Sequence, residues 1–352
     1  MPVKIKKFGI LKNGEEVSQI ILTNKSRMEV RLISLGAAIT HLFVNSKNDV
    51  SVDVVLGYER LEDYEEGNNA FGAVVGRHAN RLKDARVLIY GIEYHLTAND
   101  KNNSLHSGPN NLIKKNFSYS IINAQTVRFV GVSPDMEEGF PGRFTLGVEY
   151  TLNDENQLII KYDAVTDKAT PVNITNHAFF NLNGHDSGTS MGHLLMINSF
   201  KITENDKSSI PTGNFIDISG TPFDFRTMRV IGDRVNAKNA QLKYGWGYDQ
   251  NYVLDKNNDE IRIADAVIAA QLIGEKSGII MNTYTTQPGL QLYSANHLTS
   301  EIRGKENAIY DSRYGICLET QHFPAAPSNP HFPNVILYPG EVFRQTTIYE
   351  FT

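Results

Sequence analysis

Apolar residues recur along this chain mostly at every second position. From Gln157 to Val165, Leu158, Ile160, Tyr162 and Ala164 alternate with Gln157, Ile159, Lys161 and Asp163. Side chains of a strand point to its two faces in turn, so this period sets the first group against a core and the mixed group outward. Val148, Tyr150 and Leu152 alternate in the same way just upstream, and Asn153-Asp154-Glu155-Asn156 between the two runs is a cluster of turn formers. Together they predict an antiparallel hairpin. The C-terminal run Glu341–Phe351 is dense in β-branched and aromatic residues and follows the turn signal Pro339-Gly340. Stretches around Val30–Val44, Phe71–Val75, Val127–Val132, Val172–Asn181 and Ile279–Tyr293 read as strands as well. No stretch carries a sustained apolar stripe at the helical period, and Ala264–Leu272 fits a helix or a buried strand equally. Glu204–Gly247, rich in Asn, Asp, Gly and Lys, is the candidate for long loops lying over one face.

Many short strands separated by turns predict an all-β fold, an antiparallel β-sandwich. The 352 residues would make one large domain or two ordinary ones. With no repeat, low-complexity tract or Pro/Gly/Ser linker, a single domain over residues 1–352 is expected. A hydrophobic fraction of 41% supplies a core of useful size without disulfides. The net charge of −5 is spread along the chain, and Lys114-Lys115 is a basic pair rather than a patch, which argues against a nucleic-acid partner. The one cysteine, Cys317, excludes an intramolecular disulfide and a zinc site built from several thiolates. The first residues lead into no apolar run, and no stretch approaches the roughly 20 apolar residues of a membrane-spanning helix. The expectation is a cytoplasmic protein with no membrane partner.

Common cofactor motifs are missing. There is no G-x-x-x-x-G-K-[ST] loop and no His-Glu-x-x-His, and Gly245-Trp246-Gly247 opens like a dinucleotide fingerprint but has Gln250 at the third glycine. Neither a cofactor nor a metal is expected. Four segments concentrate hydrogen-bonding side chains among apolar or turn residues: Gly76-Arg-His-Ala-Asn-Arg81, Leu105-His-Ser-Gly108, Asn173–Leu182 and Leu318-Glu-Thr-Gln-His-Phe-Pro324. Polar groups in such settings are either satisfied structurally or held for a ligand. Forked Arg, Asn, Gln and Glu side chains suit the many hydroxyls of a sugar. Taken singly, each has a structural explanation: Glu319 as a strand-end carboxylate, His177 as a core histidine, Arg81 as an ion-pair partner, and Asn80, His106, Asp249 and Gln291 as turn or strand residues.

These four segments, in this order, resemble the galactose mutarotase (aldose 1-epimerase) family. Asp249-Gln-Asn-Tyr-Val-Leu254, Pro288-Gly-Leu-Gln-Leu-Tyr293 and Phe332-Pro333 with Pro339-Gly-Glu341 extend the likeness, which runs from about Gly36 to the C-terminus. The resemblance implies one large antiparallel sandwich with a sugar in an open cleft. It implies Glu319 as general base, His177 as general acid, and Asn80, Arg81, His106, Asp249 and Gln291 as sugar-binding residues. The implied substrate is a free monosaccharide, galactose or glucose. Opening a hemiacetal removes a proton from the C1 hydroxyl and delivers one to the ring oxygen, and closure on the other face reverses both transfers. A carboxylate and a histidine are suited to that exchange, each transfer being worth about 10²–10⁴-fold. Gln250 stands where the family commonly has histidine, and Ala325, Ala326 and Ser328 replace its Asp-Ala and later Asn. Three other readings compete: an epimerase of a phosphorylated hexose, a non-catalytic carbohydrate-binding module, and a glycosidase, which ordinarily needs two carboxylates about the scissile bond.

Overall fold

The computed structural model describes residues 2–256 and 262–352, and among them the fold is an all-β antiparallel sandwich. Its largest sheet has ten strands and is built around the predicted hairpin, Phe144–Leu152 with Gln157–Thr166, in the register Leu152↔Leu158 to Phe144↔Thr166. The alternation decides the faces. Phe144, Leu146, Val148, Tyr150 and Leu152 are fully buried, as are Leu158 and Ile160 opposite them, while Thr145, Glu149 and Lys161 turn away. The C-terminal strand Phe343–Phe351 lies beside Gln157–Thr166 and closes the centre of this sheet.

A five-stranded N-terminal sheet, Lys4–Ile10, Glu16–Thr23, Glu29–Ile33, Ala38–Asn45 and Ser51–Asp53 in sequential order, adds Ile20, Leu22, Val30, Leu32, Ile39 and Leu42 to the same core. The Tyr150 hydroxyl donates to the Ala37 carbonyl (2.8 Å) and accepts from Asn176 Nδ2 (3.3 Å), so a buried phenol ties the two sheets to the segment that carries His177. A second five-stranded sheet runs in the order Pro211–Asp217, Ser199–Asn205, Asp249–Leu254, Gly289–Tyr293, Cys317–Gln321. Its inner face, with Tyr252, Leu254, Leu290, Leu292 and Leu318, also packs into the main core.

Ala264–Leu272 resolves as a strand, Ala266–Ile273. It is buried on both sides, Ala269, Ala270 and Leu272 in the main core and Ala266 and Ile268 against Tyr284 and Ile348. Two-sided burial explains why its apolar run shows no alternation. Three sequence expectations need correction. Val172–Asn181 is mostly irregular, with only Thr175–Asn176 in a ladder to Val74–Val75, and Phe71–Val75 contributes that pair alone. The cause is side-chain competition for the backbone: Asn173 accepts from His322 N (2.8 Å) and donates to Ala79 O (3.2 Å), and Asn176 donates to Gly72 O (2.8 Å). Glu204–Gly247 is more ordered than loops, since it supplies the strand Pro211–Asp217 and the short helix Ala240–Gly245, whose first turn is capped by Asn239 Oδ1 accepting from Gln241 N (2.8 Å). No helix among the described residues is long and apolar enough to cross a membrane.

Candidate active site

The second five-stranded sheet has one apolar face and one polar face, and the polar face is the floor of a cleft. Register aligns Asn251, Gln291 and Glu319 across three neighbouring strands, with Asp249, Tyr293 and Cys317 aligned two residues along. Residues opposite one another or two apart share a face, so Asp249, Gln291 and Glu319 point to the same side. Alternate residues face the core, which is why the strands combine Leu with Gln and Glu. Asp249 Oδ1 accepts from Gln291 Nε2 (2.6 Å), fixing both side chains.

The wall comes from two loops that lock one another. Asn80 and His106 both have left-handed backbones, φ 62° and 53°, a conformation that Asn and His adopt more readily than most residues. The Asn80 amide donates to His106 Nδ1 (3.1 Å) and the His106 amide to the Asn80 carbonyl (3.0 Å). An accepting Nδ1 leaves Nε2 of His106 to carry the proton, and burial, aided by His177 and Arg81, holds this imidazole neutral well below its ordinary pKa. Arg81 is oriented by Asp100, Nε to Oδ2 2.7 Å, and lies 4.0 Å from Asp249 Oδ2.

His177 sits on the irregular segment. Its amide donates to Ala73 O and its carbonyl accepts from Gly72 N (3.0 Å). Gly72, at φ +66°, has room for no side chain, because a Cβ there would lie 1.9 Å from the Ile39 carbonyl oxygen. The imidazole stacks on Phe179 with centroids 5.0 Å apart, meets Tyr293 edge-on at 6.3 Å, and has its Nδ1 3.6 Å from Cys317 Sγ. Its Nε2 faces Glu319 Oε1 at 3.6 Å. His177 is 7% exposed and Glu319 2%, and Glu319 Oε2 is buried without a partner. Burial, with the charge of Asp249 added and Arg81 opposing, pushes the Glu319 carboxyl well above its usual range. Burial lowers His177 to about 4. Burial thus disfavours the charged form of both groups, which favours a proton held by the pair on the carboxyl rather than on the imidazole.

All seven residues singled out in the sequence, Asn80, Arg81, His106, His177, Asp249, Gln291 and Glu319, line this one cleft of about 260 Å³. Sequence reasoning missed several supporting groups: Asp100 behind Arg81, Tyr293 and His297 on the lining, and Cys317 behind His177. Tyr293 and Cys317 carried a usable signal, since each is two residues from a predicted site residue on the same strand. Asp100 and His297 had none. Of the other histidines, His78, His185, His322 and His331 lie outside the cleft lining. Trp246 is 73% exposed and stands outside that lining too, beside His297 at 6.0 Å between centroids. Gln250 replaces the family's histidine with a structural tie, accepting from Asp249 N (2.8 Å) and donating to Gln241 O (3.0 Å). Ala325 keeps its loop against the wall by a 2.9 Å bond from its amide to the Arg81 carbonyl. Among the described residues, one group of three side chains has metal-ligand proximity: His177, Cys317 and Glu319.

Comparison with known proteins agrees with this geometry. The family model described as aldose 1-epimerase matches residues 18–350. The galactose mutarotase of Rattus norvegicus is 38% identical over 345 residues, covering 98% of this chain and 97% of the rat protein. The aldose 1-epimerase of Escherichia coli (strain K12) is 33% identical over 342 residues, 96% of each chain. Among solved structures, a GalM/aldose epimerase homologue from C. elegans superposes with a TM-score of 0.87 at 30% identity, covering 96% of this chain and 99% of that one. Galactose 1-epimerase from Lactobacillus acidophilus NCFM gives 0.86 at 26% identity, covering 99% and 98%. With a family match over almost the whole chain, relatives above 30% identity at full length and the same sandwich in solved members, this protein belongs to the aldose 1-epimerase family.

Proposed function

We propose that the protein interconverts the α and β anomers of a free aldohexose, galactose or glucose, with Glu319 and His177 exchanging protons with the sugar. The observation that carries this reading is a buried carboxyl and a buried imidazole 3.6 Å apart on the lining of a cleft otherwise rich in sugar-type hydrogen-bonding groups. A C1 hydroxyl donating to the Glu319 side chain on the cleft lining stabilises the carboxylate, and a ring oxygen at His177 Nε2 accepts from the imidazolium. The bound cyclic sugar thus draws the proton of the pair from carboxyl to imidazole. Ring opening then moves a proton from O1 to Glu319 and one from His177 to the ring oxygen. This returns the pair to the state the empty cleft prefers, neutral imidazole and protonated carboxyl. Rotation about C1–C2 and the reverse transfers close the ring on its other face. Arg81, Asn80, His106, Asp249 and Gln291 would hold the remaining hydroxyls, and no step calls for a cofactor or a nucleophile. A cytoplasmic location fits a chain whose single cysteine is a buried free thiol.

The test is polarimetry of freshly dissolved α-galactose, in which the protein should speed the approach to the equilibrium rotation. Saturable galactose binding without that acceleration would favour a binding module, and release of an aryl aglycone would favour a glycosidase. One observation favours the phosphorylated-hexose alternative: a recess sharing Arg81, Asp249 and His297 with the cleft also carries Lys101, Lys207 and Lys243. All three lysines are exposed, however, and the one guanidinium lining the cleft is already paired with Asp100. Against two nearby carboxylates a phosphate dianion gains little, so kcat/KM for galactose is expected to exceed that for its 6-phosphate by about tenfold or more, roughly 1.4 kcal/mol. A reversed preference would change the substrate assignment.

The shared proton also predicts the pH dependence. Below about pH 4 His177 takes up a second proton and no base remains; above its raised pKa Glu319 loses the last one and no acid remains. kcat/KM should be bell-shaped, with its acid limb near pH 4 belonging to the imidazole and its alkaline limb to the carboxyl. Asp249→Asn removes a negative charge that raises Glu319, so ionisation becomes easier and the alkaline limb should move to lower pH while the acid limb stays in place. An alkaline limb unmoved in that variant would refute the assignment, whatever the height of the profile.

A further inference from the structure

We propose that Cys317, His177 and Glu319 form a three-ligand site for a thiophilic divalent cation of the Zn²⁺ or Cd²⁺ class, and that an ion seated there switches the catalytic pair off. Only the functional consequence rests on the acid–base reading above; the geometry stands without it. One ligand atom from each residue lies within 4.8 Å of the other two, and all three residues are buried. Cys317 and Glu319 are two apart on one strand, so both side chains project to the face that carries the His177 ring. The sulfur is 3.6 Å from Nδ1 and Oε1 is 3.6 Å from Nε2. Tetrahedral zinc bonds of about 2.0–2.3 Å set neighbouring ligand atoms roughly 3.3–3.8 Å apart. With one atom from each residue already within 4.8 Å of the other two, no contact in that set needs to close by more than about 1–1.5 Å to reach this span.

An independent observation points to a ligand here. Glu319 Oε2 is a buried acceptor with no partner, on a residue lining the cleft through which an ion would enter. The donor set decides the class of ion, since thiolate with imidazole and carboxylate suits soft or borderline cations and not Mg²⁺ or Ca²⁺. As the metal–sulfur and metal–oxygen bonds form, the thiol and carboxyl protons leave to solvent, and the imidazole contributes a lone pair; nothing is oxidised or reduced. The ion takes the Glu319 carboxylate that the sugar needs, so inhibition is competitive with the sugar. Cys317 has no part in the proton transfers, and its place behind His177 is what converts a metal-independent pair into a metal-sensitive one.

Cys317 is the only cysteine in the chain, so a sulfur-to-cobalt charge-transfer band on adding Co²⁺ reports this site alone. The expected result is a band saturating at one ion per chain, displaced by Zn²⁺ and opposed by galactose. Zn²⁺ should inhibit mutarotation competitively and reversibly on chelation. Cys317→Ser should abolish the band and weaken Zn²⁺ inhibition by more than about 10–100-fold, the loss typical of removing even an outer partner of a metal. Three results would overturn the proposal: no band in the native protein, Zn²⁺ inhibition unchanged in Cys317→Ser, or full mutarotation with the band saturated. Should the variant fail to fold, the band and the galactose competition of the native protein decide alone. Because the band is read without turnover, metal binding stands or falls separately from the mutarotation assignment.

Discussion

Replacing Glu319 by glutamine is expected to lower kcat for mutarotation by about 10²–10⁴-fold while leaving the fold intact and galactose binding within about tenfold. The substitution is nearly isosteric, and the amide can still accept from the C1 hydroxyl. What it cannot do is take the proton. Residual catalysis would come from orienting the sugar against His177, a contribution the variant keeps. The side chain is 2% exposed and its carboxyl is already driven toward the neutral form by burial, so a neutral amide costs the folded state little. Polarimetry gives the rate, calorimetry with galactose the affinity, and circular dichroism the fold. A variant within a few-fold of native kcat would remove Glu319 from the chemistry. The pH profile adds a second readout, because without the carboxyl the alkaline limb assigned to it should vanish.

Much of the architecture was legible because period-two alternation is a one-dimensional record of two-faced strands. The hairpin Phe144–Leu152 and Gln157–Thr166 was readable from Leu158, Ile160, Tyr162 and Ala164 alone, and its turn from Asn153–Asn156. Legibility failed where a strand has no solvent face, as in Ala266–Ile273, and where side chains replace the ladder. In Val172–Asn181 the apolar and β-branched residues read as a strand, but Asn173 and Asn176 bind distant backbone groups and hold the segment in an irregular path. Neither bond spans fewer than one hundred residues, so no local window could contain it.

The site was legible in a different way. Asp249, Gln291 and Glu319 lie on three separate strands, and their convergence follows from a register that only the folded sheet specifies. The order of motifs along the chain, carried by resemblance to a family, stood in for that register. What resemblance could not supply is the electrostatic state: a carboxyl raised and an imidazole lowered by the same burial. Nor could it supply the local substitutes. Gln250 bridges the Asp249 backbone to the helix Ala240–Gly245, a tie that depends on an amide reaching a carbonyl nine residues upstream.

The cleft also depends on a buried ion pair well removed from it, and breaking that pair is expected to cost about 3–5 kcal/mol of stability. Lys305 is 1% exposed, and its Nζ donates to Asp53 Oδ2 (2.5 Å), Val55 O (2.7 Å) and Thr40 O (2.9 Å). Burial lowers the pKa of this lysine, and Asp53 is the main group opposing the shift, so the ammonium is kept charged by its partner. Asp53 Oδ1 meanwhile accepts from Leu42 N (3.0 Å). Asparagine at 53 offers one acceptor and one donor where two acceptors are needed, so its NH₂ must face either the ammonium or the Leu42 amide. Either orientation leaves a buried donor opposed. The damage should reach the site through backbone: Leu56 donates to Phe179 O (2.9 Å), Asn181 to Val54 O (2.8 Å), and Val55 bridges Phe180, all within four residues of His177. Urea unfolding should show the Asp53→Asn midpoint falling with little change in slope. Lys305→Met in the same background should recover much of the loss, because it removes the stranded charge. If the double variant is no more stable than Asp53→Asn, the cost lies in the Leu42 contact and not in the buried ammonium.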